Sequence, residues 1–338
     1  MIDLRSDTVT KPSQEMLDFM FKAEVGDDVY SEDPSINKFE KMLADYFGME
    51  AGIFCPSGTM CNQIAIKLLT EPQDEVICDQ RSHIYRYEGG GIFSNSLVSV
   101  KLLDCNYGIL DAESVEGAIN PEDVHLPKTS LISLENTCNK GGGSFYSLEQ
   151  IEGIREIALK NDLQMHLDGA RVFNALIASG VNPKDLGKNF VTISICFSKG
   201  MGCPVGSVLL CSKKNEFKAR RIRKSFGGGM RQAGYLAAAG IYALENNILR
   251  LNDDHSRVQK IADEFDSLSY IKKVFPHPTN ILLFSLENEK EASRFSKYLK
   301  ENRILISAFD SNVLRIVTHL NFDDDQLLSF IDHVRNFN

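Results

Sequence analysis

The sequence lacks the features that mark membrane proteins and nucleic-acid-binding proteins. No apolar run approaches the roughly 20 residues that a membrane-spanning helix needs. Its 46 acidic residues outnumber its 37 lysines and arginines, whereas a nucleic acid is bound by a basic face. The first residues do not follow the charged-then-apolar plan of a signal peptide. We therefore expect no membrane partner, no nucleic-acid partner and a cytoplasmic location.

Sequence motifs for metal ions and nucleotides are missing as well. No two of the eight cysteines have CxxC spacing, which argues against a zinc site. Several cysteines, such as Cys78 and Cys196, lie in apolar runs, and we expect buried thiols in a reducing compartment. The glycine runs at 141–143 and 227–229 lack the spacing of a nucleotide fingerprint. We predict no metal site, although a structural cation at the polar N-terminus stays open, and nucleotide binding is the weaker alternative.

Apolar runs of strand length alternate with helical patterns over most of the chain. Strands are predicted at 51–55, 75–78, 97–103, 129–134, 164–167, 191–197 and 206–211, with helices at 60–69 and 148–160. This alternation is typical of an α/β protein whose mainly parallel sheet is flanked by helices.

The pattern changes near residue 246. Strands at 280–285 and 312–318 and helices at 289–301 and 323–336 predict a smaller α+β domain. We therefore divide the chain into an N-terminal arm with a large domain, residues 1–245, and a small C-terminal domain, residues 246–338. The first dozen residues are polar and turn-like, and we expect them to pack back onto one of the domains.

Lys199 and Asp168 each follow or end an apolar run, 31 residues apart. Open α/β sheets bind ligands at the carboxyl ends of their strands, where a lysine amine can form an imine. A carboxylate at a strand end can pair with the protonated pyridine nitrogen of pyridoxal 5′-phosphate (PLP), whose ring then accepts the electrons of a Cα carbanion. Alone, the lysine would suit a solvated surface and the aspartate a helix N-cap. Together they predict a PLP enzyme in which Lys199 holds the cofactor as a Schiff base.

A loop and a histidine extend this site. Ser57, Gly58 and Thr59 lie between a predicted strand and helix, where free N–H groups, two hydroxyls and a small residue suit a phosphate. His83 follows the strand at 75–78, so its ring could stack on a pyridine or relay protons. Taken singly, the loop suits a plain helix N-cap and His83 suits a hydrogen-bonded loop histidine.

Two arginines could hold the carboxylate of an amino acid. Arg171 follows Asp168 by three residues, and Arg315 lies in the predicted strand at 312–318. A guanidinium pairs with a carboxylate through two parallel hydrogen bonds, although a structural salt bridge is common for arginine. Such a clamp would decide which bond at Cα stands perpendicular to the cofactor ring.

The motifs along the chain resemble those of one family of enzymes from end to end. They are Leu4–Thr10, Gly26–Tyr30, Glu32–Pro34, Pro56–Thr59, Ser82–Ile84, Tyr87–Glu88, Leu134–Thr137, His166–Arg171, Ser198–Gly200, Pro204–Ser207, Gly227–Gly234 and Arg315–His319. In order and number they resemble the low-specificity L-threonine aldolases, which are PLP enzymes of the aspartate-aminotransferase-like fold. The resemblance implies a PLP-dependent transferase-like fold and retro-aldol cleavage of β-hydroxy-α-amino acids, L-threonine or L-allo-threonine, to glycine and an aldehyde.

The resemblance also implies roles for individual residues and an assembly. Lys199 would form the Schiff base, Asp168 would pair with the pyridine nitrogen, and His83 would stack on the ring. The phosphate would be held by Gly58, Thr59 and an Arg231 reaching in from a neighbouring subunit. The substrate contacts would come from these residues: Ser6, Arg171 and Arg315 at the carboxylate, His125 near the hydroxyl, and Tyr30 and Tyr87. Family members are typically homotetramers built as dimers of dimers, with active sites at subunit interfaces.

Several alternatives stay open at the level of the sequence. The base that takes the hydroxyl proton is His83, His125 or a bound water. Cys138 and Ser31 stand where the family commonly has histidine and glycine, and both could alter the substrate pocket. β-Elimination and amino transfer need the same lysine, aspartate and phosphate loop, and a protein that binds PLP without catalysis is a remote alternative. The threo or allo preference and the physiological direction are not encoded in any motif.

Overall fold

Strands and helices alternate along residues 1–337, which the computed structural model describes. The strands are β1 (Ile2–Asp3), β2 (Ala51–Cys55), β3 (Asp74–Asp79), β4 (Ser99–Leu103), β5 (Lys128–Glu135), β6 (Gln164–Gly169), β7 (Thr192–Cys196), β8 (Ser207–Cys211), β9 (Lys273–Val274), β10 (Ile281–Ser285), β11 (Ile304–Leu305), β12 (Ser307–Ala308) and β13 (Val313–Val317). The helices are α1 (Gln14–Phe21), α2 (Pro34–Phe47), α3 (Gly58–Leu69), α4 (His83–Arg86), α5 (Gly91–Ser96), α6 (Ala112–Ala118), α7 (Leu148–Lys160), α8 (Val172–Ser179), α9 (Pro183–Gly187), α10 (Lys213–Ser225), α11 (Gly234–Asn246), α12 (Leu251–Asp266), α13 (Glu289–Glu301) and α14 (Asp324–Arg335).

A seven-stranded sheet lies at the centre of the large domain. Its strand order is β2-β8-β7-β6-β5-β3-β4, and all neighbouring pairs are parallel except the two that β8 makes with β2 and β7. Strands β2, β7 and β8 are buried along their whole length, as expected for a sheet covered on both faces. The predicted α/β fold with a mainly parallel sheet is confirmed.

Helices cover both faces of this sheet and enclose separate apolar cores. The largest core joins the sheet to α2, α7 and α11, and a second lies between α3, α10 and strands β2 and β8. Local sequence signals begin and end these helices. Helix α7 begins with a capping box of Ser147 and Gln150. Asp33 caps the N-terminus of helix α2, Pro34 lies in its first turn, and Gly48, in the left-handed conformation (φ 67°), caps its C-terminus.

The C-terminal part of the chain forms the smaller α+β unit that the sequence predicts. A four-stranded antiparallel sheet, in the order β12-β13-β10-β9, packs against α12, α13 and α14 around a core rich in phenylalanine. Leu251 at the start of α12 belongs to the large core, whereas Val258 and Phe265 further along the helix belong to the small one. The chain therefore passes from the large core to the small core within α12. The predicted domain boundary at residue 246 stays a prediction.

The N-terminal arm connects the two cores. Strand β1 pairs in parallel with β11, and the buried Leu4 accepts a hydrogen bond from the N–H of Val317 at 2.9 Å. Three residues later the buried Asp7 reaches into the large domain. The expectation that the first dozen residues pack back onto a domain is confirmed. No helix within residues 1–337 has the length and apolarity needed to cross a membrane.

The contact between α2 and α11 depends on a glycine. A Cβ built on Gly240 would lie 2.2 Å from the ring of Phe39. Because this ring is buried and cannot move aside, the backbone would have to shift to accommodate the added Cβ. We predict that Gly240→Ala lowers the free energy of unfolding by about 2 kcal/mol, because overpacking outweighs the better helix propensity of alanine. Urea unfolding followed by circular dichroism measures this difference.

The matched control is Gly117→Ala in α6, where an added Cβ meets nothing within 4 Å. That substitution is expected to be neutral or to stabilise the protein by up to about 1 kcal/mol. Equal unfolding midpoints for the two variants would contradict this account of the α2–α11 contact.

Candidate active site

The carboxyl ends of three parallel strands bring the central polar residues together. Glu135 ends β5, Asp168 lies next to the end of β6, and Lys199 follows β7 by three residues. Glu135 and Asp168 are direct register partners, so their side chains leave the sheet on the same face. The structure therefore places Lys199 and Asp168 on the same edge of the sheet, as the strand pattern predicts.

Asp168 is buried and held by an amide. Its Oδ2 accepts a hydrogen bond from Nδ2 of Asn62 at 2.9 Å, and its Oδ1 accepts one from the N–H of Ala170 at 3.2 Å. No lysine or arginine within residues 1–337 forms an ion pair with this carboxylate. A buried carboxylate is normally paired with a cation, so the environment of Asp168 suits a positively charged ligand group.

Asn62 is itself fixed by four polar neighbours. Its Nδ2 donates to Asp168 and, at 2.8 Å, to Glu88, while its Oδ1 accepts from Ser194 at 2.6 Å. The fourth neighbour, His166, has its Nε2 3.1 Å from the same Oδ1. Burial lowers the pKa of His166 to about 4, so this imidazole is neutral and donates from Nε2 at physiological pH. The network thus holds the Asp168 carboxylate in one orientation.

His83 is oriented by a buried glutamate. Its Nδ1 lies 2.9 Å from Oε1 of Glu88, whose other oxygen accepts from Nε2 of Gln63 at 2.6 Å. An ionised carboxylate only accepts hydrogen bonds, so Nδ1 carries the proton and Nε2 is left for a ligand. Burial lowers the pKa of His83, but the hydrogen bond to Glu88 and the charge of Asp168 outweigh it, and the net pKa is raised.

These three side chains are also close enough to bind a metal ion in principle. One ligand atom each of His83, Glu88 and Asp168 lies within 4.8 Å of the others. The same side chains already bond to one another or to Asn62. The absence of a metal site therefore stays a prediction, and the hydrogen-bonded network accounts for the arrangement.

The phosphate-loop residues lie at the first turn of α3. Ser57 caps this helix, with its Oγ accepting from the N–H of Met60 at 3.2 Å. The N–H groups of Gly58 and Thr59 have no acceptor in the described part of the chain, as is usual for the first turn of a helix. A Cβ on Gly58 would lie 2.4 Å from Sγ of Cys196, so the loop needs glycine there to lie against β7. These donors could bind a phosphate group.

Lys199 presents an unpaired amine. Its carbonyl oxygen accepts from Oγ1 of Thr10 at 2.9 Å and from the N–H of Gly202 at 2.8 Å, which fixes the backbone. Its Nζ makes no hydrogen bond or ion pair with any residue in 1–337. The charge of Lys199 nevertheless helps to lower the pKa of Asp7, so the amine lies near the arginine sites described next.

Arg171 is paired with the N-terminal arm. Its Nε and Nη2 donate to the two oxygens of Asp7, both at 2.7 Å, and both side chains are buried. Burial raises the pKa of Asp7, but the charge and hydrogen bonds of Arg171, the charge of Lys199 and a hydrogen bond from Asn280 outweigh it and give a pKa of about 2. Nη1 of Arg171 makes no hydrogen bond within residues 1–337 and is left to bind a substrate carboxylate.

Arg315 also makes two hydrogen bonds, but both of its acceptors are neutral. Its Nη1 donates to Oδ1 of Asn139 at 2.8 Å and its Nη2 to the carbonyl oxygen of Arg5 at 3.0 Å. Its buried Nε has no partner in the part of the chain that is described. Burial and the neighbouring charge of Arg171 lower the pKa of Arg315. An anion placed here would satisfy the free donor and relieve the repulsion between the two guanidinium groups.

A pocket of about 300 Å³ opens beside these groups. It is lined by His83, Tyr87, Asn139, Lys140, Phe309 and Arg315, among others. The Nζ of Lys140 lies 4.1 Å from the ring centroid of Phe309. Ser6, predicted to bind the carboxylate, caps the turn at 7–9, and its Oγ accepts from the N–H and hydroxyl of Thr8. Its hydroxyl proton is therefore free to donate.

Three predicted residues are not joined to this cluster within one chain. Tyr30 is 71% exposed, and Arg231 is half-exposed and pairs with Asp27 at 2.9 Å. His125 lies on an exposed loop, where its Nδ1 is 2.8 Å from Asp123. It lines a surface pocket of about 650 Å³ that contains neither Lys199 nor Asp168. Their predicted roles stay predictions.

Four residues of the site were not predicted as functional groups: Asp7, Asn62, Glu88 and Glu135. Asp7, Glu88 and Glu135 lie inside quoted motifs, yet no spacing rule shows that Asp7 meets Arg171, 164 positions away. Asn62 and Gln63 lie in an otherwise apolar helix and are both buried. Polar residues at apolar positions of a helix are the one signal that could have identified them.

The ion pair of Asp7 and Arg171 should contribute strongly to stability. We predict that Asp7→Asn lowers the free energy of unfolding at pH 7 by about 3 kcal/mol, because it leaves a buried guanidinium without its counter-charge. The pKa of Asp7 is about 2 in the folded chain, below its ordinary value of 3.8. The stabilisation from this shift, about 2 kcal/mol, is therefore present above pH 4 and is lost as the pH falls through 2.

Chemical unfolding at pH 7 and over the acidic range measures both effects. Asp3→Asn is the control, because Asp3 pairs with the exposed Arg5 and an exposed pair contributes little. An Asp7→Asn protein as stable as the Asp3→Asn protein at pH 7 would contradict the assignment.

Comparison with known proteins gives one consistent result. The family model described as "Beta-eliminating lyase" matches residues 3–288. Over 338 residues the chain is 40% identical to the low specificity L-threonine aldolase of Escherichia coli (strain K12), with 100% of this chain and 99% of that protein covered. A probable low-specificity L-threonine aldolase 2 of Arabidopsis thaliana is 40% identical over 330 residues, with 96% and 93% covered.

Solved structures agree with these relatives on the fold. A threonine aldolase of Leishmania major matches with a TM-score of 0.85 and 21% identity, and 99% of each chain is covered. This likeness independently supports the PLP-dependent transferase-like fold that the motifs imply. Together with the full-length relatives and the family model, it leads to one conclusion: the chain belongs to the beta-eliminating lyase family and, within it, to the low-specificity L-threonine aldolases.

Proposed function

We propose that this enzyme is a PLP-dependent aldehyde-lyase that cleaves L-threonine and L-allo-threonine to glycine and acetaldehyde. The observation that carries the proposal is a set of charged groups that lack partners. Asp168 is a buried carboxylate without a cationic partner near the end of β6, and Lys199, three residues after the neighbouring strand β7, has an unpaired Nζ. Arg315, on β13 of the small domain, has a free Nε. This distribution of charge matches a pyridinium, a carbonyl and a substrate carboxylate.

The side chains described above fit the cofactor. Lys199 would hold it through its amine, Asp168 would bind the pyridine nitrogen, and the N–H groups of Gly58 and Thr59 would bind the phosphate. Ser57 supports this loop as the cap of α3, and the ring of His83 would cover the pyridine face. When bound, PLP supplies the electron sink that accepts the negative charge formed at Cα.

The chain's own residues then select the bond that breaks. Arg315 and Ser6 would bind the substrate carboxylate, with Nη1 of Arg171 as a further donor. Fixing the carboxylate on one side leaves the substrate hydroxyl and side chain to the pocket of His83, Tyr87 and Lys140. The bond between Cα and Cβ would thereby be held in the orientation needed for cleavage. Correct orientation of the reacting groups can by itself remove a large part of the activation barrier.

His83 is the base that we infer for the hydroxyl proton. Its Nδ1 is occupied by Glu88, so Nε2 is the nitrogen available to accept a proton. The carboxylate of Glu88 also stabilises the imidazolium that results, as the raised pKa of His83 indicates. His125 and a bound water are the alternative bases, with His125 supplied by a neighbouring subunit.

A second candidate reaction is β-elimination, which the name of the matching family model favours. Elimination yields a keto acid and ammonia from serine or threonine, whereas aldol cleavage yields glycine and an aldehyde. Quantifying all four products from L-threonine, L-allo-threonine and L-serine separates the two reactions. Keto acid and ammonia as the main products, without glycine, would reject the aldolase proposal.

The exposed predicted residues support an assembled enzyme. We propose a homotetramer, built as a dimer of dimers, in which Arg231, His125 and Tyr30 serve the site of a neighbouring copy. Large apolar side chains near His125 are also exposed, including Phe93 at 71% and Val124 at 98%, and exposed apolar patches commonly mark protein interfaces. A cytoplasmic location remains part of the same proposal.

The role of Lys199 gives the first prediction for this function. Lys199→Ala should abolish the covalent link to PLP that borohydride fixes, because its amine is the group assigned to form that link. Mass spectrometry of the borohydride-treated protein, followed by peptide mapping, measures the modification. Lys188→Ala, which removes an exposed lysine, is the control. Borohydride-fixed PLP in the Lys199→Ala protein would be incompatible with the assignment.

The role of His83 gives the second prediction for this function. His83→Phe keeps an aromatic ring but removes the base, so kcat for L-threonine should fall by about 10²–10⁴-fold while PLP stays bound. Steady-state assays of acetaldehyde release and the cofactor absorbance test both parts. His333→Phe, on the last turn of α14, controls for histidine replacement. Unchanged kcat in His83→Phe would exclude this histidine and transfer the role to His125 or water.

A further inference from the structure

Glu135 is a buried carboxylate whose contacts the proposed chemistry does not yet use. It is the last residue of β5, in the middle of the central sheet, and its register partner on β6 is Asp168. Both side chains are buried on the same face. The position therefore puts two carboxyl groups next to each other beneath the candidate cofactor site.

Each oxygen of Glu135 accepts a hydrogen bond from a different main-chain segment. Oε2 accepts from the N–H of His83 at 2.8 Å, and Oε1 accepts from the N–H of Asn139 at 2.9 Å. His83 begins α4, which follows β3, whereas Asn139 lies in the loop that follows β5. Because both donors are main-chain groups, Glu135 fixes the position of the two segments themselves.

The second of these segments continues to the arginine site. The side chain of Asn139 accepts from Nη1 of Arg315 at 2.8 Å. Asn139 thereby connects the loop that Glu135 holds to the guanidinium of Arg315. His83, Asn139 and Arg315 line the same pocket of about 300 Å³. One carboxylate therefore connects the ring on one wall of the pocket to the guanidinium on another.

A contribution to the stability of the fold does not by itself explain why residue 135 is a glutamate. Burial and the adjacent charge of Asp168 raise the pKa of Glu135 to about 7, so ionisation is opposed by its surroundings. An ionised carboxylate accepts both N–H groups as charge-assisted hydrogen bonds, whereas the hydroxyl oxygen of a protonated carboxyl is a weaker acceptor and an amide presents a donor on one side. The two hydrogen bonds thus favour the ionised form, which the environment disfavours.

We propose that Glu135 is a positioning residue of the active site. It sets the His83 segment and, through Asn139, the guanidinium of Arg315 in one fixed relation, so that the catalytic ring and the carboxylate-binding group face the substrate together. This inference rests on the proposed function, because it assumes that Arg315 binds the carboxylate of an amino acid.

The test compares Glu135→Gln with Glu75→Gln in the PLP-loaded enzyme. Glu75 is also buried and also accepts two hydrogen bonds, from Asn120 at 2.8 Å and Ser99 at 3.4 Å, but it lies near the amino end of β3, at the opposite edge of the sheet. Three quantities are measured for each protein: the dissociation constant of glycine from the cofactor absorbance, KM and kcat for L-threonine, and the unfolding midpoint.

The glycine titration and the kinetic constants should separate the variants. Glu135→Gln should raise the glycine dissociation constant and KM by roughly 10- to 100-fold, the effect of losing a charge-assisted hydrogen bond, and should lower kcat as well because His83 moves. Glu75→Gln should leave all three constants within about twofold of wild type, whatever its effect on the unfolding midpoint. Equal constants in the two variants overturn the proposal.

Asn139→Ala supplies a second arm that leaves the buried carboxylate in place, so the test holds even if Glu135→Gln does not fold. It should raise the glycine dissociation constant and KM more than it lowers kcat, because it disconnects Arg315 but not His83. Asn139→Ala with wild-type glycine affinity contradicts the connection. A wild-type enzyme that neither binds glycine nor releases acetaldehyde rejects the proposed function instead, so the two failures are distinct.

Discussion

The burial of two neighbouring carboxyl groups at the end of the central sheet is the constraint on which the site depends. Glu135 and Asp168 leave adjacent parallel strands on the same face, where burial and the charge of Asp168 raise the pKa of Glu135. Each is held by donors from elsewhere in the fold, namely the amide of Asn62 for Asp168 and the N–H groups of His83 and Asn139 for Glu135. The loops above the strand ends are therefore positioned by the need to satisfy these acceptors.

The two arginines of the proposed site differ in whether a carboxylate of the chain compensates their charge. The N-terminal arm brings Asp7 to Arg171 and compensates one guanidinium, while Arg315 keeps a free donor and is repelled by Arg171. A PLP molecule carrying an amino acid would bring a cation toward Asp168 and a carboxylate toward Arg315. The proposed site would thus be complementary to both charges of this ligand.

The sequence predicts the local parts of this arrangement well. The helices at 148–160 and 289–301 are found at the predicted residues, and the strands before Asp168 and Lys199 lie within two residues of their predicted ends, because hydrophobic period and capping residues are local signals. The pairings of Asp7 with Arg171 and of Asn62 with Asp168 span 164 and 106 positions, and no local pattern encodes them. The roles proposed for His125, Arg231 and Tyr30 would need a neighbouring copy of the chain, and such contacts are not encoded in any local pattern either.

The central claim is that Asp168 keeps the bound pyridine nitrogen protonated, and it can be tested on that atom. The protein is reconstituted with PLP labelled with ¹⁵N in the ring, and the nitrogen chemical shift is measured by NMR between pH 6 and pH 9. We predict the shift of a protonated pyridinium throughout this range, because the buried carboxylate has no other cationic partner among residues 1–337. The shift of a neutral pyridine in the folded, PLP-loaded protein would contradict the account.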